Sequence, residues 1–218
     1  MIAQPDLGRI MNVICGLKRL LAFTVFFAVA AGCSTYAFDR VDDLRARGRT
    51  VAVLAGINND LTELAVSDLA GALTEQTRFQ VLPTGRVQKA LPDYPVNIRG
   101  PYRFAYMEIE PDYANTDVKK LKALSEKLGT DYLLVIWAPS AYSVSSSYGQ
   151  QIYQMQFITQ MFEFPEGREV GRGTFGAYAG DPKRCFAPRP EPREAREQLR
   201  LTMGYVAKRI GKVTGMEK

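Results

Sequence analysis

The chain has 218 residues, with 28 lysines and arginines against 23 acids, a formal net charge of +5, and no histidine. The missing histidine excludes Ser-His-Asp and Cys-His nucleophiles, imidazole proton shuttles at neutral pH and histidine-ligated metal sites, and the sequence names no catalytic residue, no metal site and no cofactor. The length suits a single domain with a sizeable core, while the basic residues are scattered rather than interleaved with aromatics, which reads as a solvated surface and not as a nucleic-acid interface.

Arg9, Lys18 and Arg19 precede an uncharged, apolar stretch from Leu20 to Ala31. That is the length of a secretory h-region and too short to span a bilayer. Ala30, Ala31 and Gly32 then supply the small residues that a signal peptidase admits, immediately before Cys33. The pattern resembles the bacterial lipoprotein signal. The resemblance implies that the Cys33 thiol carries a diacylglycerol, that cleavage makes Cys33 the first residue, and that its amine is acylated as well. Ala30 stands where that signal prefers leucine; an ordinary secretory signal or an uncleaved anchor is the alternative. A start at Met11 gives a more compact leader, with Lys18 and Arg19 close to its beginning. Each buried methylene contributes about 0.8 kcal/mol, so two or three acyl chains hold a protein on a membrane where one does not. Ser34 follows the cysteine where, by the same resemblance, an aspartate favours the inner membrane; the expected location is the periplasmic face of the outer membrane. Cys15 leaves with the leader, and Cys185, in the proline-rich joint DPKRCFAPRPEPRE, is expected to be a buried, unpaired thiol.

The predicted organisation is a signal peptide over 1–32, a lipidated N-terminus and short polar tether over 33–48, and one domain over 49–218. RTVAVLAG (49–56) reads as a buried strand stopped by Gly56. Asp60 and Glu63 form a capping-box pattern, and Leu61, Leu64, Ala65, Leu69, Ala72 and Leu73 share one face of a helix over 61–76. A second strand covers 78–83 and a short helix lies around Val87 to Leu91. Periodicity then fails as far as Asn115. The segment LPDYPVNIRGPYRFAYMEIEPDYAN is proline- and aromatic-rich and is expected to be a long loop with an extended piece at RFAYMEIE. Tyr102, Phe104 and Tyr106 within it form either a partner-binding surface or a lid folded on the domain's own core. Glu108 and Glu110 share a side if that piece is extended, which gives a carboxylate pair or a solvated edge.

Asn115 or Thr116 is the expected cap of a second main helix, with Val118, Leu121, Leu124 and Leu128 on one face and Gly129 at its end. TDYLLVIWAP is an almost wholly apolar strand, hence central, and Pro139 is expected to end it. A serine-rich flexible stretch follows, then strands over 150–164 and 168–178 joined by a turn at Glu166-Gly167. The last helix starts at Pro192, carries acids early and bases late, and aligns Leu199, Met203, Val206, Ile210 and Val213 in one seam.

The fold class is therefore α/β (α+β): a mixed sheet of about five strands with three main helices. In this order the stretches RTVAVLAGINN, LAGALTEQTRFQVLPTGRVQKAL, KLGTDYLLVIWAPSAY and MFEFPEGREVGRGTF resemble the CsgG/LpoB/TolB-N superfamily of periplasmic α/β domains. The resemblance implies a non-enzymatic binding or accessory role among envelope proteins, in assembly or export. The other readings are a regulator of a peptidoglycan synthase and a carboxylate-based enzyme. The chain leaves little room for the extra transmembrane hairpins of curli channel subunits, and it lacks the long disordered tether of the synthase activators. The partners expected are the membrane, through the lipid, and envelope proteins; the sequence assigns no oligomeric state.

Overall fold

Alternation along two parallel strands organises the molecule. The structure, a computed structural model, describes residues 36–45, 48–105, 108–145, 151–179 and 192–218. Strand β2 (Thr50–Ala55) sits between β3 (Gln80–Val81) and β6 (Tyr132–Ser145) and runs parallel to both. Val51, Val53 and Ala55 of β2, with Tyr132, Leu134 and Ile136 of β6, turn to one core; Ala52 and Leu54, with Leu133, Val135 and Trp137, turn to the other. A strand buried on both faces reads as a continuous apolar run because each face needs every second residue.

The first face is covered by α1 (Asp60–Gln76) and α4 (Pro192–Thr214), through Ala65, Leu69 and Leu73 and through Leu199, Met203, Val206 and Ile210. The seam expected for the last helix thus packs on its own domain. The second face is covered by α2 (Thr84–Ala90) and α3 (Val118–Leu128), through Val87, Leu121, Leu124 and Leu128. Antiparallel strands β7 (Gln151–Glu163) and β8 (Arg168–Ala179) extend the sheet beyond β6, and β1 (Tyr36–Arg40) closes it, giving the order β1-β8-β7-β6-β2-β3. The α/β class and the mixed sheet agree with the sequence reading; among the described residues the sheet has six strands rather than about five, and the short helix expected near Val87 accompanies the three main ones.

Several boundaries differ from expectation, each for a local reason. Part of the segment expected to be a tether is β1 (Tyr36–Arg40), antiparallel to β8, and its Phe38 is only 1% exposed within the first core. The second strand shrinks to Gln80–Val81, because Pro83 precedes α2 at once. Helix α1 is capped by Asn59, whose side chain accepts from the Thr62 amide at 2.8 Å, and not by Asp60. Helix α3 is capped by Asp117, which accepts from the Lys120 amide, and neither Asn115 nor Thr116 does so; Gly129 ends it in the left-handed region at φ 63°, as expected. Pro139 does not end β6. Pairing with β7 lapses between Trp137 and Ser140 and then resumes as far as Ser145, so an irregularity absorbs the residue that has no N–H to donate. Residues 140–145 of the stretch expected to be flexible are therefore paired strand, while 146–150 lie outside the described residues.

Candidate binding cleft

The aromatic segment after α2 is bound to the sheet at many points. β4 (Tyr102–Ala105) and β5 (Glu108–Pro111) form a two-stranded antiparallel hairpin where an extended piece was expected. In front of it, the Ile98 amide donates to the Gly56 carbonyl at 3.0 Å, the Trp137 indole N–H donates to the Ile98 carbonyl at 3.1 Å, and the Ala55 amide donates to the Tyr94 hydroxyl at 3.1 Å. Trp137 is wholly buried. A Cβ at Gly56 would overlap its ring, and one at Gly100 would overlap the Tyr102 ring and crowd Trp137, so both positions need glycine for close approach and not for backbone freedom.

These contacts leave a cleft of about 420 Å³ at the carboxyl end of β2, lined by Gly56, Ile57, Asn97, Ile98, Arg99, Gly100, Tyr102 and Asn115. The chain reverses its direction across the sheet here, with α1 leaving β2 for one face and α2 and α3 returning to β6 over the other, the place where open α/β sheets form crevices. The polar groups of the cleft bind its own walls. Arg99 donates from Nε to the Asn115 carbonyl at 2.8 Å; Asn115 donates to the carbonyls of Gly100 and Tyr102 at 3.0 and 3.2 Å; Asn97 accepts from the Asn58 amide at 3.1 Å. Behind them, wholly buried Gln160 donates to the Tyr113 carbonyl and to Glu169 and accepts from Thr116, and Arg172 stacks 4.7 Å from the Tyr113 ring centre. Nothing in the strand pattern distinguishes Gln160 from its neighbouring glutamines; its role comes from the segment that folds over it.

Of the aromatic residues singled out in the sequence, Tyr102 lines the cleft and packs against the second core, and burial pushes its phenol above the usual tyrosine value. Phe104 lies in β4, with its side chain outside the described residues, as is Tyr106. Glu110 pairs with Arg103 on the adjacent strand at 2.7 Å, and the Glu108 side chain is not described. Cys33 and Cys185 also fall outside the described residues. Among the described residues no group of three or more Cys, Asp or Glu is placed to hold a metal, and no helix is long and apolar enough to cross a membrane.

No family model matches the chain, and no curated protein matches its sequence. Solved structures to which it is similar include the PelC dodecamer from Paraburkholderia phytofirmans, at 12% identity over 85% of this chain and 99% of that one, TM-score 0.41. They also include lipoprotein GNA1162 from Neisseria meningitidis, at 14% identity over 75% of this chain and 98% of that one, TM-score 0.46.

Proposed function

We propose that the chain is a bacterial lipoprotein, held by Cys33 on the periplasmic face of the outer membrane, whose CsgG/LpoB/TolB-N-like α/β domain is a non-enzymatic accessory that binds envelope proteins during assembly or export. The observation that carries this reading is the apolar leader that ends in Ala30-Ala31-Gly32-Cys33. The cleft supports it: Arg99, Asn97 and Asn115 are bonded to backbone groups, which makes a fixed surface suited to docking. The ion pair of Glu110 with Arg103 favours a solvated edge over an acid/base pair.

The test has two arms. Radiolabelled palmitate enters the parent chain and not the Cys33→Ala variant; label retained in the variant rejects the anchor. Affinity capture from crosslinked envelopes then enriches one protein partner reproducibly, and replacing Tyr102, Phe104 and Tyr106 by alanine abolishes that capture with the melting temperature kept within a few degrees. Capture that survives the triple variant assigns these rings to the domain's own packing, and reproducible absence of any partner rejects the accessory role.

A further inference from the structure

The outer face of α4 carries a second seam. Glu197, Leu201, Gly204 and Lys208, spaced four, three and four residues apart, form one stripe on the side opposite Leu199, Met203, Val206 and Ile210, which pack on the sheet. Of the four large apolar side chains left exposed among the described residues, two stand here: Leu201 is 44% exposed within the stripe, and Tyr205, one turn on, is 59% exposed at its edge. With Gln76, Arg200, Gly204 and Lys208 they line a groove of about 300 Å³. The domain's own packing does not call for a glycine at 204. The position lies inside a 23-residue helix, where glycine is less favourable than alanine, and an added Cβ would meet only the Gln76 side chain, at an ordinary 3.7 Å. Gly211 differs, since its Cβ would press on Thr77 at 3.1 Å. Gly204 leaves a notch that opens outward, beside an exposed leucine.

Charge gives the stripe a direction. Glu197 stands at one end, held by Arg200 of the same helix at 2.8 Å, and Lys208 stands at the other, exposed and with no ion pair among the described residues. Laid antiparallel against a copy of itself, the stripe brings Glu197 to Lys208 of the second copy and Leu201 to Gly204 of the second copy, and each contact occurs twice, as a two-fold axis requires. A parallel arrangement would set Glu197 against Glu197 and Lys208 against Lys208. The charges beside the stripe are mixed in sign: Arg200 lies in the field of Asp68 and Glu75 of α1, and Asp68 is already paired with Arg196, so no wall of like charge bars the approach.

We infer that the outer stripe of α4 binds a second copy of this chain, helix against helix in antiparallel register, with Leu201 of each copy seated in the notch at Gly204 of the other. Tyr205 closes the margin of the contact, where a ring with apolar faces and a polar hydroxyl suits a half-wet position. The occupant is a second copy and not a foreign helix because both the charges and the knob and notch complement themselves under one two-fold axis. The inference depends neither on acylation of Cys33 nor on the cleft at the end of β2.

The experiment uses the full chain as made in bacteria, purified in density-matched detergent, with Cys185→Ser as the background. Copies carrying Glu197→Cys are mixed with copies carrying Lys208→Cys under mild oxidation. The two positions are eleven residues apart, roughly 16 Å along the helix, so the mixture is expected to form a disulfide-linked pair about tenfold above either variant alone, each corrected for the background chain. Equal yields in the mixture and in one variant alone overturn the inference. Sedimentation then measures association without a crosslink. Glu197→Lys and Lys208→Glu are each expected to weaken it about tenfold, and the two together in one chain to restore it, which chains that merely share a micelle would not do. Failure of the double variant to restore association overturns the inference, as does a parent chain that sediments as a monomer up to roughly 0.1 mM. Gly204→Ala is expected to weaken association about tenfold while the melting temperature stays level or rises. A lower melting temperature with association unchanged assigns Gly204 to the domain's own packing and overturns the inference too.

Discussion

Glu163 carries the most consequential charge in the described interior. It is 2% exposed, accepts from the Arg45 amide at 2.6 Å and from the Tyr132 hydroxyl at 3.1 Å, and pairs with Arg168, which also pairs with Asp42 and donates to the Asp43 carbonyl at 2.6 Å. The ends of three strands and the segment after β1 thus meet on one carboxylate. Removing the cation leaves that carboxylate buried without its partner, and Arg168→Met is expected to cost about 3 to 5 kcal/mol, measured by urea unfolding. Adding Glu163→Gln to that variant recovers part of the loss, because the stranded charge goes with it. Tyr132 gives a pH signature. Burial, and then the charge and hydrogen bond of Glu163, hold the phenol well above the usual tyrosine value of 10. A pKa raised in the folded state means that the unfolded chain releases the proton first as pH rises, so this contribution is complete below pH 10 and is lost as pH climbs through the folded value. Unfolding midpoints of the parent chain are expected to fall above pH 10 more steeply than those of Tyr132→Phe; equal slopes would remove Tyr132 as the cause.

At the scale of elements, helix α1 shows how a pattern can mislead by one position. Asp60 followed by Glu63 looks like a capping box, but Asn59 sits in extended backbone with its side chain on the Thr62 amide and hydroxyl, while Asp60 is already helical. An acid in the first turn gains only from the helix dipole, whereas the cap satisfies a donor that has no other partner. Asn59→Ala is expected to destabilise the domain by about 0.5 to 2 kcal/mol, and Asp60→Ala by less; thermal or urea unfolding of the two variants decides between the positions. Strand β6 errs in the opposite direction. Pro139 is a sound terminator in a regular ladder, yet a one-site irregularity suffices to carry the strand past it as far as Ser145.

For the whole molecule, the sheet begins before the segment that the sequence marks as its first strand. YAFDR has one large apolar side chain placed to bury, and Phe38 does so between the sheet and α4, where Arg209 donates to its carbonyl at 3.1 Å. Residues 36–45 are therefore part of the fold. A chain shortened to start at residue 49 is expected to unfold at lower urea concentration than one starting at 34, and Phe38→Ala in the longer chain to cost about 3 to 5 kcal/mol. Equal midpoints for the two lengths would return the segment to the role of a simple tether.

Local chemistry accounts for what was legible at the outset. Apolar runs such as VAVLA and YLLVIWA, the helical spacing of Leu121, Leu124 and Leu128, the left-handed glycine at 129 and the seam of α4 are each written within a few residues, because backbone period and burial act on that range. The expectation of a lipoprotein leader rests on the same range, a short stretch of side chains that ends at Cys33. The pairing of β1 with β8, the passage of β6 through Pro139, the hub at Gln160 and the two glycines against Trp137 depend on partners tens of residues away. A short polar strand, a lone glutamine or a glycine gains its meaning from the surface that folds onto it, and that surface exists only once the two faces of the sheet have been covered.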